Sequence, residues 1–363
     1  MCKSNFTTAN CCGLKAEDFT DKSCNSSTSL YVLRNNNGIE ICLSNYGAIV
    51  MAIMVPDKNG KKENVVLGHE SLQALIDSPE PYLGATIGRY CNRIAKGHFT
   101  LEGKDYSLAI NNGPNNLHGG EIGFNRKIWS CSQTDEHTVV LSYTSPDGEE
   151  NFPGTLKVEM TYTLSDNNEF RIDYKATTDK TTIVNLTNHA FFNLAGIKNP
   201  SPSVENNILT INADFYNPID EVSIPFGTIA PVEGTPFDFR TPHVIGERIN
   251  QKDQQLINGA GYDHNFVLNK KEVGELSFAA ECYEPESGRR IKVYTTEPGM
   301  QLYTGNWLNG FEGMHHATFP ARSAVCFEAQ HFPDSPNKPH FPSVVLHPGE
   351  TYRQTTIYAF SAE

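Results

Sequence analysis

The segment TLKVEMTYTLS, residues 155–165, alternates apolar and polar side chains without a break. Leu156, Val158, Met160, Tyr162 and Leu164 fall on one face, and Lys157, Glu159, Thr161 and Thr163 on the other. A period of two belongs to a strand with one buried and one wet face, because successive side chains on extended backbone point in opposite directions. The next segment, EFRIDYKATT, repeats the pattern with Phe170, Ile172 and Tyr174 inward, and the intervening SDNN is a turn signal, so the two predict an antiparallel hairpin. HTVVLSYTS, RRIKVYTTE, MQLYTGNW and TTIYAF continue the theme. Helical spacing is scarce: ESLQALIDS, stopped by a proline-containing segment, and the shorter PHVIGERI are the two candidates.

Many short strands punctuated by 28 glycines and 21 prolines predict an all-β fold, an antiparallel sandwich or barrel in preference to a doubly wound sheet. No composition break, internal repeat or low-complexity tract divides the 363 residues, so one large domain is expected over residues 30–363, after a loosely ordered arm over 1–29. A formal net charge of -13 and an isoelectric point near 5.4 repel phosphate backbones and anionic membrane surfaces, so neither nucleic acid nor membrane is an expected partner. No apolar run approaches the length of a membrane span, and MCKSNFTTANCC lacks the apolar core of a signal peptide. The expectation is a cytoplasmic monomer or weak homodimer that handles a neutral, polar small molecule. Nine cysteines without a CxxC pair or zinc spacing predict reduced, mostly buried thiols. Glycosylation sequons at Asn5, Asn25 and Asn185 carry weight only in a secreted protein.

Four stretches place polar groups where a β-protein gains nothing from them. IGRYCNRIAKG sets Arg89 and Arg93 around Asn92 in an apolar segment, and a guanidinium there suits a sugar hydroxyl or a carboxylate. In NNGPNNLHGG, His118 precedes two glycines that let something approach the backbone closely. In GAGYDHNFVL, Asp263 and His264 point to opposite faces of an extended chain, so one of them at most enters a given pocket. In ARSAVCFEAQHFPDSPN, Glu328 lies within an apolar strand, where a carboxylate must find donors or shift its pKa upward. To these VNLTNHAFFNLAG adds His189, an imidazole inside an apolar run. Each has a bland reading as a hydrogen-bonded structural, ion-paired or turn residue, and for a lone histidine that reading is the commoner one. Dinucleotide, Walker, GxSxG and HExxH motifs are absent, and the adjacent His315 and His316 lack ligand spacing, so no metal is expected.

Taken together the stretches resemble the galactose mutarotase (aldose 1-epimerase) family. The likeness rests on the ordered set GRYCNRIAKG, NNLHGG, SPDGEENFPG, VNLTNHAFFNLAG, GYDHNFVL and FEAQHFPDSPN, with YTGNWL and HPGETY in their usual places, from about residue 30 to the C-terminus. It implies a single large antiparallel β-sandwich, the mutarotase-like supersandwich, with an open sugar-binding cleft. It also implies interconversion of the α and β anomers of free aldohexoses such as D-galactose and D-glucose, without a cofactor. By resemblance Glu328 matches the family's base and His189 its acid. Arg93, His118, Asp263 and Gln301 match sugar-contacting positions, Asn92 is a support residue beside them, and His118 also steadies charge on the ring oxygen. Cys91 and Ala329 stand where alanine and threonine are common in relatives, which touches fine positioning. Some bacterial relatives carry export signals, so a periplasmic origin is the alternative location if such a signal was trimmed. Three other functions fit these residues less well. A hexose 6-phosphate epimerase needs more cations in the cleft, a sugar-binding protein without turnover has no need of both Glu328 and His189, and a glycoside hydrolase pairing Glu328 with Asp263 leaves His189 unexplained.

Overall fold

In the computed structural model of the chain, residues 6–20, 27–198 and 200–363 are described. The hairpin forms as its alternation requires: Leu156–Leu164 and Glu169–Thr178 pair antiparallel with Tyr162 opposite Ile172, and Leu156, Val158, Met160, Tyr162 and Leu164 are all buried. The hairpin lies in a nine-stranded antiparallel sheet. The long C-terminal strand Tyr352–Ala362 inserts there between Glu169–Thr178 and Arg289–Thr295, tying the two halves of the chain together. A five-stranded antiparallel sheet carries, side by side, Asp263–Val267, Gly299–Tyr303 and Cys326–Gln330. A four-stranded meander runs from Leu30–Arg34 to Lys62–Asn64.

One apolar core joins the three sheets. Leu43 and Val50 of the meander, Met160 and Tyr162 of the hairpin, and Phe266, Leu302 and Phe327 of the five-stranded sheet share a single buried cluster. The architecture is therefore the expected antiparallel sandwich, held by burial of one face of each sheet. Short helices at Leu72–Ile76 and Ile245–Arg248 fall inside the two segments with helical spacing. A third, Gln254–Asn258, was not evident from periodicity; it is announced instead by its cap, where the Asp253 carboxylate accepts from the backbone N–H of Gln255 and Leu256.

Part of the N-terminal arm, residues 1–5 and 21–26, lies outside the described residues, and with it the sequons at Asn5 and Asn25. Within the described part Cys12, Leu14 and Phe19 are buried against Val32, Met51 and Leu72. The third sequon asparagine, Asn185, is fully buried, and its amide both accepts from the backbone N–H of His331 and donates to that residue's carbonyl. Seven described cysteines are free thiols, all buried except Cys11. No helix among the described residues is long and apolar enough to cross a membrane.

Candidate active site

The five-stranded sheet presents one face to an open cleft of about 400 Å3. Its register sets Asp263 opposite Tyr303 and Gln301 opposite Glu328, so alternate side chains from three neighbouring strands point into the same space. Asp263 faces the cleft, while His264 turns into the core and packs edge-on against Phe237 at 4.5 Å, as the alternation requires. Gln301 donates from Nε2 to Asp263 Oδ1 at 2.6 Å. Below them the buried Gln330 donates to Gln301 Oε1 at 3.4 Å and to Asn265 Oδ1 at 3.2 Å, which fixes the orientation of the Gln301 amide.

The remaining groups come from irregular segments pinned against this sheet. The His189 backbone N–H donates to Ala85 carbonyl and its carbonyl accepts from Gly84 N–H, both at 2.9 Å. Gly84 is required there: it has φ +67, and a β-carbon would stand 2.0 Å from the Val50 carbonyl oxygen. The two glycines after His118 admit the chain itself, since a β-carbon on Gly119 would fall 2.1 Å from the Gly88 carbonyl oxygen. His118 and Asn92 hold each other: Asn92 N–H donates to His118 Nδ1 at 3.1 Å and His118 N–H to Asn92 carbonyl at 3.1 Å. With Nδ1 accepting, a neutral His118 carries its proton on Nε2. Asn92 Oδ1 also accepts from Arg93 N–H at 2.8 Å, in keeping with a support position.

Seven residues singled out in the sequence therefore meet: Asn92, Arg93, His118, His189, Asp263, Gln301 and Glu328 all line the cleft. Arg89 does not. It is fully buried among backbone carbonyls, donating to those of Pro153 and Gly154 at 2.8 Å and to Ser145 Oγ at 2.6 Å, whereas Arg93 reaches Asn112 Oδ1 at 3.0 Å and stands 3.9 Å from Asp263 Oδ2. Glu80, Tyr82, Tyr303 and Trp307 also line the cleft and were not identified from sequence. Tyr82 packs edge-on to His118 at 4.6 Å. The available signals were slight: a glutamate between two prolines, and one of only two tryptophans, inside YTGNWL.

At the floor His189 Nε2 lies 3.5 Å from Glu328 Oε1, with both side chains almost wholly buried. His189 Nδ1 and Glu328 Oε2 have no hydrogen-bond partner, although buried polar atoms nearly always find one. Burial pushes the His189 pKa down to about 3 and lowers that of His118 well below the ordinary imidazole range, with the neighbouring His189 and Arg93 adding to the effect. Burial raises Glu328 well above the ordinary carboxylate range; the Asp263 charge raises it further and Arg93 opposes. Asp263 is raised by burial and drawn back by Arg93 and Gln301, and burial brings Glu80 to about 7. One ligating atom from each of His118, His189 and Glu328 lies within 4.8 Å of the others, the one such group among the described residues. His315 and His316 instead lie near Glu70 and Glu312 at the surface.

An antiparallel sandwich whose open polar cleft buries a carboxyl beside an imidazole defines a class: a β-sandwich with an acid–base pair poised for a small polar ligand. Comparison with known proteins narrows it. The family model described as aldose 1-epimerase matches residues 29–359. Over 324 residues the chain is 46% identical to the galactose mutarotase of Sus scrofa, covering 89% of this chain and 91% of that one. It is 38% identical over 337 residues to the aldose 1-epimerase of Escherichia coli (strain K12), covering 92% and 95%. Among solved structures, an aldose epimerase homologue from C. elegans superposes with a TM-score of 0.85 at 30% identity, covering 92% of this chain and 99% of that one. A galactose 1-epimerase from Lactobacillus acidophilus NCFM gives 0.81 at 30%, covering 94% and 96%. The chain belongs to the aldose 1-epimerase family, and it is an isomerase.

Proposed function

We propose that the chain interconverts the α and β anomers of D-galactose and D-glucose, with Glu328 as base and His189 as acid. The observation that carries this assignment is the buried contact between His189 Nε2 and Glu328 Oε1, each side chain retaining an unsatisfied polar atom at the cleft floor. In the ring-opening step Glu328 takes the proton of the C1 hydroxyl, the C1–O5 bond breaks as the C1 carbonyl forms, and His189 delivers a proton to O5. Rotation about C1–C2 and the reverse transfers close the ring in the other anomer. The step consumes a carboxylate and an imidazolium, the minor protonation state of the free site, and leaves both groups neutral. In a site that disfavours both buried charges, as the raised Glu328 and lowered His189 pKa values indicate, that discharge favours ring opening. The proton on His118 Nε2 supports a role in steadying charge on O5, and Arg93, Asp263 and Gln301, already linked to one another, are suited to the hydroxyls.

Free sugars fit the lining better than sugar phosphates. Arg93 is its one Lys or Arg side chain among the described residues, against the carboxyl groups of Glu80, Glu221, Asp263 and Glu328. A cytoplasmic location is part of this proposal, and size-exclusion chromatography with light scattering would test the expected monomer or weak homodimer. The functional test is polarimetric relaxation of fresh α-D-galactose and α-D-glucose. The wild-type protein accelerates it, and Glu328→Gln and His189→Ala each lose about a hundredfold to ten-thousandfold in kcat. A folded wild type that leaves the relaxation at its buffer rate would overturn the reading.

A further inference from the structure

The cleft is not the largest cavity among the described residues. A second one, of about 760 Å3, opens where the strands Gly299–Tyr303 and Cys326–Gln330 run out at their far ends. The ladder that pairs Gln301 with Glu328 in the cleft pairs Gly299 with Gln330 one step further on. Beyond that it delivers Glu297 and His331 into the wall of the second cavity. The two sites thus share strands and are separated by roughly 10 Å of extended chain from Glu328 to His331.

The walls of this second cavity combine two kinds of surface. Leu268, Pro298, Phe332 and Val273 make an apolar side, and Val273 is wholly exposed at 104%. Facing the same space are the cationic side chains of Lys271 and Arg353, both on exposed residues, with no carboxylate among the described residues within ion-pair distance. Arg353 has Lys175 directly opposite in the strand register, so its neighbour adds positive charge. Deeper in the wall Lys270 Nζ donates to the carbonyls of Glu275 and Thr295 and to Ser277 Oγ, which fixes a cation among neutral acceptors. His331 Nδ1 stands 2.6 Å from Glu297 Oε2, and Glu297 is 3% exposed. Burial alone would lower the His331 pKa, but the Glu297 charge and hydrogen bond raise it overall, so the ring is a ready N–H donor. Glu272, at the rim, is the one carboxylate of the lining outside that pair. In a chain of net charge -13, unpaired cations around an apolar pocket are a local exception that the overall composition does not explain.

We propose that this cavity is a second binding site, taking an amphipathic organic anion: a small molecule whose apolar body lies against Leu268, Pro298, Phe332 and Val273 and whose single acidic head is held by Arg353, Lys271 and His331. An apolar cavity with a few convergent polar groups is the usual form of a small-molecule site, and an acidic head pairs well with guanidinium and imidazolium donors. The site goes beyond the anomer-interconverting reaction and uses none of its residues.

The test is a fluorescence titration of the full-length protein with anilinonaphthalene sulfonate, an apolar fluorophore with one anionic head. The expected result is saturable one-site enhancement, unchanged by saturating D-galactose and displaced by octanoate or by octyl phosphate but not by octanol. Comparison of the two displacers shows which head group the site prefers. In a Lys271→Glu, Arg353→Glu double variant the affinity falls at least tenfold while galactose mutarotation is retained, which also shows that the variant is folded. A single Val273→Asp substitution weakens binding through the apolar side. Absence of saturable enhancement overturns the proposal. So does displacement by galactose, which would place the probe in the catalytic cleft, or unchanged affinity in the charge-reversed variant, which would mark an adventitious apolar contact.

Discussion

His189 and His264 make an instructive pair. Each is buried, and each has its pKa pushed down to about 3 by desolvation. Each leaves one ring nitrogen without a partner. They differ in what surrounds them. His264 accepts from Asp263 N–H through Nδ1 and is otherwise enclosed by the rings of Phe237 and Tyr216, whereas His189 has Glu328 at 3.5 Å, His118 ring-to-ring at 5.3 Å and open cleft in front of it. A perturbed pKa therefore does not identify a working group. What distinguishes the pair is a second titratable group within proton-transfer reach and access for a ligand.

Turnover separates the two histidines most sharply. His189→Ala is expected to lower kcat for α-D-galactose by about a hundredfold to ten-thousandfold, while His264→Gln stays within about threefold of wild type. Polarimetric relaxation at matched protein concentration reads both. Equal losses in the two variants would mean that desolvation alone, without Glu328, is what matters, and would break the comparison.

Arg89 and Arg93, four residues apart in one segment, repeat the contrast with permanently charged groups. Arg89 satisfies carbonyls of Pro153, Gly154, Ser145 and Pro146 and projects into no cleft, so Arg89→Met strands several buried acceptors. Its expected cost is about 3 kcal/mol of stability or more in chemical denaturation, with KM of the remaining folded protein unchanged. Arg93→Met removes a donor that faces the cleft. It is expected to raise KM for galactose about tenfold to a hundredfold and to shift stability by less than about 1 kcal/mol. An exchange of these phenotypes would reverse the assignment of the two side chains.

How much of this was legible in the sequence follows from what leaves a periodic trace. The hairpin Leu156–Leu164 with Glu169–Thr178 was plain because nine or ten residues of alternation cannot be mistaken, and the opposite facing of Asp263 and His264 followed from the same rule. The insertion of Tyr352–Ala362 beside Glu169–Thr178 could not be read, since pairing between distant segments leaves no local mark. Much of the site sits on two-residue strands and turns: Arg93–Ile94, Asn116–Leu117 and Thr187–Asn188 are too short for any period. There the ordered motifs carried the inference and, through the resemblance, singled out Arg93; the segment read by itself does not tell Arg89 from Arg93, because which guanidinium finds carbonyls and which finds a cleft depends on the tertiary path. Glu80 and Tyr82 escaped for the same reason.

The smallest effect discriminates most finely, and it concerns the pH dependence of stability. A buried neutral histidine with a folded pKa of about 3 and an unfolded one near 6.5 takes up its proton only on unfolding, so its contribution is fully present above 6.5 and lost as pH falls toward 3. Glu328 has the opposite sign: its folded pKa is raised, so its contribution is present below the ordinary 4.5 and lost as pH rises through the folded value. Between the ordinary carboxylate and imidazole values, unfolding adds a proton to His189 and removes one from Glu328, so the two slopes oppose each other. His264 has no such partner. His264→Gln should flatten the dependence of unfolding free energy on pH in that window by about 1.4 kcal/mol per pH unit. The double variant Glu328→Gln, His189→Ala should leave the slope close to that of wild type, because it removes two opposed terms. Urea denaturation at a series of pH values measures both. A double variant that flattens the curve as much as His264→Gln would show that Glu328 does not hold the compensating proton, and the acid–base pair would lose its coupling.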